Sequence, residues 1–218
     1  MAERKPCQGL NSKCFLVTYL VIVVFLLILW FNRTDLLQED LRVIPAELQA
    51  YIISPPRPIS EEEAFLNNKQ VLTINLFKDN WTLVYFSHAN CLPSCLTGFN
   101  KLATFQSAYA SKDVGTLLID LDSDVHARGK LDQLLQYQNF NFPVLEAEEA
   151  VIEGLAITFI ALYLKSDLGD GYYQIEQEHK LFLVDPKSRV YAVFDEQTPA
   201  LTIDNSFAAL RSFYAKTE

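Results

Sequence analysis

The chain has 218 residues, of which half are hydrophobic and 12% are aromatic. This composition supports one sizeable core but not comfortably two. Eighteen basic residues stand against 27 acidic ones, for a net charge of −9, and the basic residues are scattered. Because binding to a phosphate backbone needs clustered positive charge, nucleic acid is excluded as an expected partner.

An uncharged apolar run occupies residues 14–31 near the start of the chain. At about 1.5 Å per residue, a helix of this length nearly crosses a hydrocarbon layer of about 30 Å. Basic residues precede the run and acidic residues come after it, which places residues 1–13 in the cytoplasm. The run ends in Trp30 and Phe31, not in the small residues of a cleavage site. The sequence predicts a single-pass anchor in a bacterial inner membrane, with the C-terminal part in the periplasm.

The four cysteines divide according to this topology. Cys7 and Cys14 fall on or near the cytoplasmic side, where disulfides are disfavoured, and we interpret them as reduced thiols without a role. Cys91 and Cys95 are the two that reach an oxidising compartment. Only this second pair is expected to carry extracytoplasmic chemistry.

The remaining chain alternates strands and helices. Residues 32–60 contain "SPPRPIS", whose prolines exclude a helix interior and a central strand, and they predict a stiff stalk. Hydrophobic patterns then predict, in order, strand 81–86, helix 93–110, strand 115–121, helix 126–138, strand 142–145, helix 148–159, strands 179–184 and 189–194 around a "DPKSR" turn, and helix 206–214. This order is typical of an α/β, thioredoxin-like domain over residues 61–218, with a mixed central sheet flanked by helices.

Cys91 and Cys95 form a C-x-x-x-C pattern directly after the first of these strands. Cys91 is expected in the turn at a helix N-terminus, where backbone N–H groups and the helix dipole stabilise a thiolate. Cys95 lies at i+4 on the same helix face. The pair could therefore hold one metal ion, form a disulfide or consist of two inert thiols.

Histidines and aspartates supply further candidates for this site. His179 opens a strand of the same sheet, and two thiolates with one imidazole suit Cu(I), or Zn(II) with a fourth ligand. His88 either lines the site or caps its strand, and His126 is expected at the surface. The "DLDSD" run is interpreted as a turn and helix cap, because it lacks the glycine and terminal glutamate of a calcium loop.

Several short blocks appear in a familiar order: an anchor, "PPRPI", "NWTLVYF" before C-x-x-x-C, "DLDSD", and a histidine before "LFLVDPKSRVYAVF". Together they resemble the Sco/SenC family, whose members are anchored copper-binding proteins with a thioredoxin fold. The resemblance implies copper, as Cu(I) or Cu(II), bound by Cys91, Cys95 and His179. The family usually reads T-H-C-P-D-x-C and D-H-S at these places, whereas this chain has "ANCLPSC" and "EHK".

The resemblance implies two functional hypotheses. In the first, the protein is a metallochaperone that passes copper to an oxidase subunit during assembly of the dinuclear copper centre of cytochrome c oxidase. In the second, it is an anchored thiol-disulfide oxidoreductase acting on an envelope partner, with Cys91 attacking and Cys95 resolving. No proline precedes the strand at His179, where thioredoxin-type reductases carry one. A passive structural disulfide ranks last, because so short a loop offers little entropic stabilisation.

Overall fold

A computed structural model describes residues 12–38, 44–66, 69–109 and 113–218 of the chain. The chain divides into two compact units, Met1–Val43 and Ile44–Glu218. In the first unit one helix is described, α1 (Ser12–Gln38). Among the described residues, no helix has both the length and the apolar character that membrane crossing requires. The anchor at residues 14–31 stays a prediction, and Cys7 with residues 1–11 lies outside the described residues.

The second unit carries the rest of the secondary structure. Its elements, in chain order, are β1 (Ile52–Pro58), β2 (Glu63–Leu66), β3 (Lys69–Leu72), α2 (Thr73–Phe77), β4 (Trp81–Ser87), α3 (Leu96–Ala108), β5 (Val114–Asp120), α4 (Lys130–Tyr137), β6 (Val144–Glu146), α5 (Glu149–Phe159), β7 (Tyr163–Gly169), β8 (Tyr172–Gln177), β9 (Leu181–Val184), β10 (Arg189–Phe194) and α6 (Ala200–Thr217).

Eight of these strands form one mixed sheet in the order β1-β10-β9-β4-β5-β6-β2-β3. β4 pairs parallel with β5 and antiparallel with β9. Every residue of β4 is buried, as expected for a central strand covered on both faces, whose sequence is a continuous apolar run. The predicted mixed sheet is therefore observed, and it positions the chain segments after β4 and β5 side by side.

Each face of the sheet packs against helices through aromatic side chains. On one face Tyr85 meets Phe99 of α3, with ring centroids 5.9 Å apart. On the other face Phe86 meets Phe159 of α5 at 5.3 Å. The alternation of neighbouring residues of β4 between the two cores results from the period of two of a strand. The result is a sheet sandwiched between two helical layers.

Most predicted elements are present, with shifted ends. The helix predicted from residue 93 begins at Leu96, and the strand predicted from residue 179 begins at Leu181. The "DPKSR" segment joins β9 and β10, which pair antiparallel as predicted. The helix predicted over residues 206–214 is longer, since α6 spans Ala200–Thr217.

The stalk predicted over residues 32–60 differs from the structure in its second half. β1 (Ile52–Pro58) pairs with β10 at the edge of the large sheet. An edge strand tolerates proline because one side of its backbone makes no ladder hydrogen bonds. The proline rule correctly excludes a central strand here, but it does not exclude an edge strand.

Candidate functional site

The two cysteines lie in the segment that connects β4 to α3. Cys91 precedes a turn, and its carbonyl oxygen accepts a hydrogen bond from the backbone N–H of Cys95 at 3.3 Å. Cys95 is the N-cap of α3. Both cysteines are buried, and a disulfide joins them, with Cα atoms 5.5 Å apart. The C-x-x-x-C spacing therefore places the two sulfurs in contact at the start of a helix.

Ser87, the last residue of β4, contacts the first cysteine. Its Oγ lies 3.2 Å from Cys91 Sγ, and both side chains are buried. Ser87 is paired across the parallel ladder with Asp120, the last residue of β5. Neighbouring strands in register direct paired side chains to the same face of a sheet. The cysteine turn thus sits above a serine and a carboxyl group at the ends of two adjacent strands.

His179 reaches this region from the loop between β8 and β9. Its Nδ1 is hydrogen-bonded to the Tyr85 hydroxyl at 2.6 Å, and Gln177 Nε2 lies 3.4 Å from the same nitrogen. Tyr85 in turn packs tightly against α3, because a Cβ added at Gly98 would lie 2.4 Å from Tyr85 Cζ. The glycine therefore permits the tyrosine that orients the histidine.

A cleft of about 610 Å³ opens onto this arrangement. It is lined by Cys91, His88 and His179, together with Asp122 and residues of β8. Cys95 does not line the cleft and is fully buried behind Cys91. Of the two cysteines, Cys91 is therefore the one that lines the cleft.

Burial favours the neutral form of both histidines in the cleft. Burial lowers the pKa of His179, and the nearby Glu196 carboxylate opposes this effect. Burial also lowers the pKa of His88, against the raising effect of Asp122 and together with the lowering effect of His179. A neutral imidazole is the form that binds metal ions. His88 is buried and lines the cleft, so it is not merely a cap of its strand.

The "DLDSD" run forms a series of tight turns, as predicted. The carboxylates of Asp120, Asp122 and Asp124 accept hydrogen bonds from the backbone N–H two residues ahead. The prediction that this run also caps a helix is wrong, because α4 begins only at Lys130, after Gly129. His126 is exposed, as expected from the sequence.

Two of these aspartates also have functions in the site that the sequence did not indicate. Burial raises the pKa of Asp120 to about 8, with Asp122 and Glu146 adding to the effect. Both carboxylate oxygens of Asp122 accept the hydroxyl of Tyr173 on β8 at 2.7 Å. The carboxyl ends of β4 and β5 therefore carry a buried acid and a fastening point for the β7–β8 hairpin.

Lys180, the residue after His179, is paired with acidic side chains. Its Nζ lies 2.7 Å from Glu178 Oε2 and 4.0 Å from Asp195 Oδ1. The positive charge that would oppose a metal cation at His179 is thereby offset by its neighbours.

The predicted metal ligands are brought to one end of the sheet, but in a disulfide form. Within the described residues, no group of three or more His, Cys, Asp or Glu side chains is arranged to hold a metal ion. The sulfurs of Cys91 and Cys95 are bonded to each other, and a metal binds thiolates. Two sulfurs and an imidazole are a donor set that suits soft Cu(I), provided that the disulfide is first reduced.

A family model described as SCO1/SenC matches residues 63–212 of the chain. The chain belongs to the SCO1/SenC family. The curated proteins include none that matches the sequence. The family match covers the cysteine turn, His179 and every strand of the large sheet except β1. It confirms the resemblance that the sequence motifs indicated.

Solved structures of other SCO proteins share the fold. Apo Sco1 from Thermus thermophilus is 20% identical and has a TM-score of 0.60, over 74% of this chain and 94% of that chain. Copper-bound ScoI from Bradyrhizobium japonicum is 17% identical, at 0.57, over 72% and 99%. Copper-bound yeast Sco1 is 17% identical, at 0.55, over 70% and 90%. These likenesses confirm the thioredoxin-like α/β fold.

Proposed function

We propose that this SCO1/SenC protein is a metallochaperone that binds copper through Cys91, Cys95 and His179. The observation that carries the proposal is the common cleft: Cys91 and His179 line it together, and Cys95 is already bonded to Cys91. After reduction, the two thiols release their protons when Cu(I) binds. The ion is the cargo of the protein, and the neutral imidazole of His179 completes a three-donor set.

The Tyr85 hydroxyl occupies the Nδ1 side of His179, which leaves Nε2 as the nitrogen available to a metal. This hydroxyl lies at Nδ1, so when that nitrogen carries the proton and donates to the tyrosine oxygen, Nε2 presents a lone pair. Such outer hydrogen bonds fix the tautomer and orientation of a ligating histidine. Tyr85 is therefore assigned as a positioning residue of the copper site.

We further propose that the recipient is an oxidase subunit, and that the transfer assists assembly of the dinuclear copper centre of cytochrome c oxidase. Membership of the SCO1/SenC family supports this role. We also propose that residues 14–31 anchor the protein in a bacterial inner membrane, with residues 61–218 in the periplasm. The apolar run in the sequence supports the anchor, and retention in the membrane pellet after carbonate extraction is its test.

The test of copper binding is an anaerobic titration of the reduced full-length chain against a chromophoric Cu(I) chelator. We expect one equivalent of tight binding, and a loss of at least about tenfold in affinity for His179→Ala, because an orienting or ligating group of a metal site is worth this much. His126→Ala is the matched control, since His126 is exposed and lies outside the cleft. Unchanged affinity in His179→Ala would rule out this ligand set.

The disulfide favours a second candidate function, thiol-disulfide exchange with an envelope protein. In the reduced protein, the Cys91 thiolate would attack a partner disulfide and release one partner thiolate, forming a mixed disulfide. Cys95 would then attack the sulfur of Cys91, release the second partner thiol and restore the Cys91–Cys95 bond. Cys95→Ser should accumulate the mixed disulfide and Cys91→Ser should not. Absence of any adduct in Cys95→Ser would exclude this function.

A further inference from the structure

The hairpin formed by β7 and β8 is a two-stranded sheet beside the cleft. One bond shows which residues of β8 are hydrogen-bonded to β7: the backbone N–H of Glu178 donates to the carbonyl oxygen of Leu162 at 3.0 Å. In an antiparallel ladder, bonded and non-bonded residue pairs alternate. The backbone groups of Glu176 and Gln174, two and four residues earlier, therefore face β7.

The intervening residues of β8, which are Tyr173, Ile175 and Gln177, turn their backbone N–H and C=O groups to the opposite side. In the part of the chain that the structure describes, no strand pairs with β8 on that side. Unpaired backbone groups of this kind are a ready template for another strand. β8 thus has a free edge that begins beside Tyr173 and ends beside Gln177.

The side chains of the same three residues fix this edge to the body of the domain. Tyr173 donates to the carboxylate of Asp122, and Gln177 Nε2 donates to the carbonyl oxygen of Phe86 at 2.6 Å. Ile175 is buried in the core that packs on α5. The edge is therefore held in place before any partner arrives, which lowers the entropic cost of binding.

The free edge and the candidate ligands line the same cleft, which contains Cys91, His179 and the five residues from Tyr173 to Gln177. A strand added along β8 would therefore run past Cys91. Among the described residues that line the cleft, Asp122 and Glu176 are acidic and none is a lysine or an arginine. A basic or neutral segment matches this cleft better than an acidic one.

We infer that β8 is the docking edge for the partner: an extended, cysteine-containing segment with basic flanks pairs with its backbone and brings a thiol to Cys91. The inference rests on the proposed function, because copper transfer and disulfide exchange both require a partner sulfur at this place. Pairing by main-chain hydrogen bonds provides affinity with little demand on the partner's sequence. The anchored edge sets the direction and register of the incoming chain.

The test uses the full-length Cys95→Ser chain, with Cys7→Ser and Cys14→Ser added so that Cys91 is the one thiol. The probe is a blocked seven-residue peptide with a central cysteine, valine and threonine neighbours and a lysine at each end. It is supplied as its mixed disulfide with thionitrobenzoate. The Cys91 thiolate displaces thionitrobenzoate and forms a disulfide with the peptide. Glutathione, attached to Cys91 in the same way, is the control, because it is too short to pair along β8.

The readout is amide hydrogen exchange, residue by residue. In the peptide adduct we expect the amides of Tyr173, Ile175 and Gln177 to exchange at least about tenfold more slowly than in the glutathione adduct. The amides of Gln174 and Glu176 already face β7 and should not change. Slower amide exchange at every second residue of β8 is specific to strand pairing.

Equal exchange rates in the two adducts would overturn the inference. So would failure of the peptide to react with Cys91 when glutathione reacts, since the cleft would then exclude an extended chain. Neither result depends on copper. If the chain binds copper but the amides of β8 gain no protection, only this inference is overturned. If the amides gain protection but the chain does not bind copper, only the copper proposal is overturned.

Discussion

Two buried aspartates of the same domain, Asp185 and Asp120, differ in how fully their carboxyl oxygens are hydrogen-bonded. Asp185 comes after β9 at the end of the sheet away from the cysteines, and it accepts hydrogen bonds from the backbone N–H groups of Lys187 and Arg189 and from Arg189 Nε at 2.8 Å. Asp120 ends β5 beside the cysteine turn. Its Oδ1 accepts the N–H of Asp122 at 2.9 Å, but its buried Oδ2 has no hydrogen-bond partner among the described residues.

The difference separates a carboxylate with a full set of partners from a carboxyl group that lacks one. A buried charge normally needs a partner and several hydrogen bonds, and Asp185 has both. Within the described part of the chain, Asp120 has neither a paired cation nor a full set of donors, and burial raises its pKa to about 8. Groups perturbed in this way concentrate at functional sites, where stability is given up. Asp120 lies next to Ser87, which touches Cys91, so the unsatisfied acid belongs to the site end.

The largest effect on stability is expected when Asp185 loses its ion pair with Arg189. Arg189→Met should lower the free energy of unfolding by about 3 kcal/mol, because it leaves the buried Asp185 carboxylate without its ion pair. Urea denaturation measures this loss. The matched control is Arg211→Met, which breaks an exposed pair with Asp113 and should cost about 1 kcal/mol or less. Equal losses in the two variants would show that Asp185 does not depend on Arg189.

A smaller effect, a gain in stability, is expected when Asp120 is replaced. The raised pKa of Asp120 means that, between about pH 4 and pH 8, the folded state holds a proton that the unfolded state has released. Stability should therefore fall as the pH rises through this window. Asp120→Asn removes the titration, so at pH 8 the variant should be more stable than the wild type by at least about 2 kcal/mol.

Unfolding curves of both proteins at several pH values measure this effect. Asp122 and Glu146 add to the raised pKa of Asp120, so the difference between the two proteins includes their repulsion of an ionised Asp120. The difference between the two proteins should shrink towards zero near pH 4. A difference that is independent of pH would mean that Asp120 is ionised in the folded protein.

Features that depend on local pattern are the ones that the sequence predicts best. The apolar run of β4, the cysteines directly after it and the "DPKSR" turn depend on neighbouring residues, and each is present as predicted. The candidate ligands needed more, because His179 is 84 positions from Cys95. The predicted sheet and the resemblance to a known family connected them in the sequence, and the structure brings Cys91 and His179 to the same cleft.

The sequence did not reveal contacts that depend on tertiary packing. The β7–β8 hairpin was missed, although "LGDGYY" contains an Asp-Gly turn signal. The structure has a positive φ at Gly169, Asp170 and Gly171. Nothing in the local pattern indicates that Tyr173 reaches Asp122, or that Asp120 is buried while Asp124 is not. Burial of a polar residue depends on what covers it, and that is decided by the whole fold.

The smallest predicted effect compares one tyrosine from each end of the sheet. Tyr85 contacts His179 through its hydroxyl, whereas Tyr191 of β10 lies near Asp185 and Arg189, and burial raises its pKa to about 12. Tyr85→Phe and Tyr191→Phe remove the same hydroxyl group from buried rings. Each should cost about 1 kcal/mol of stability or less, since the loss of one buried hydroxyl group is worth at most about a single hydrogen bond.

Copper affinity should distinguish the two variants where stability does not. Without the hydroxyl of Tyr85, the ring of His179 loses the hydrogen bond that fixes its tautomer and orientation, and the affinity for Cu(I) should fall by about tenfold. Tyr191→Phe should bind Cu(I) as the wild type does in the same chelator competition. Equal affinities in all three proteins would mean that the imidazole is oriented without Tyr85, and the role of a buried hydroxyl at the site end would then be the same as at the far end: packing and stability alone.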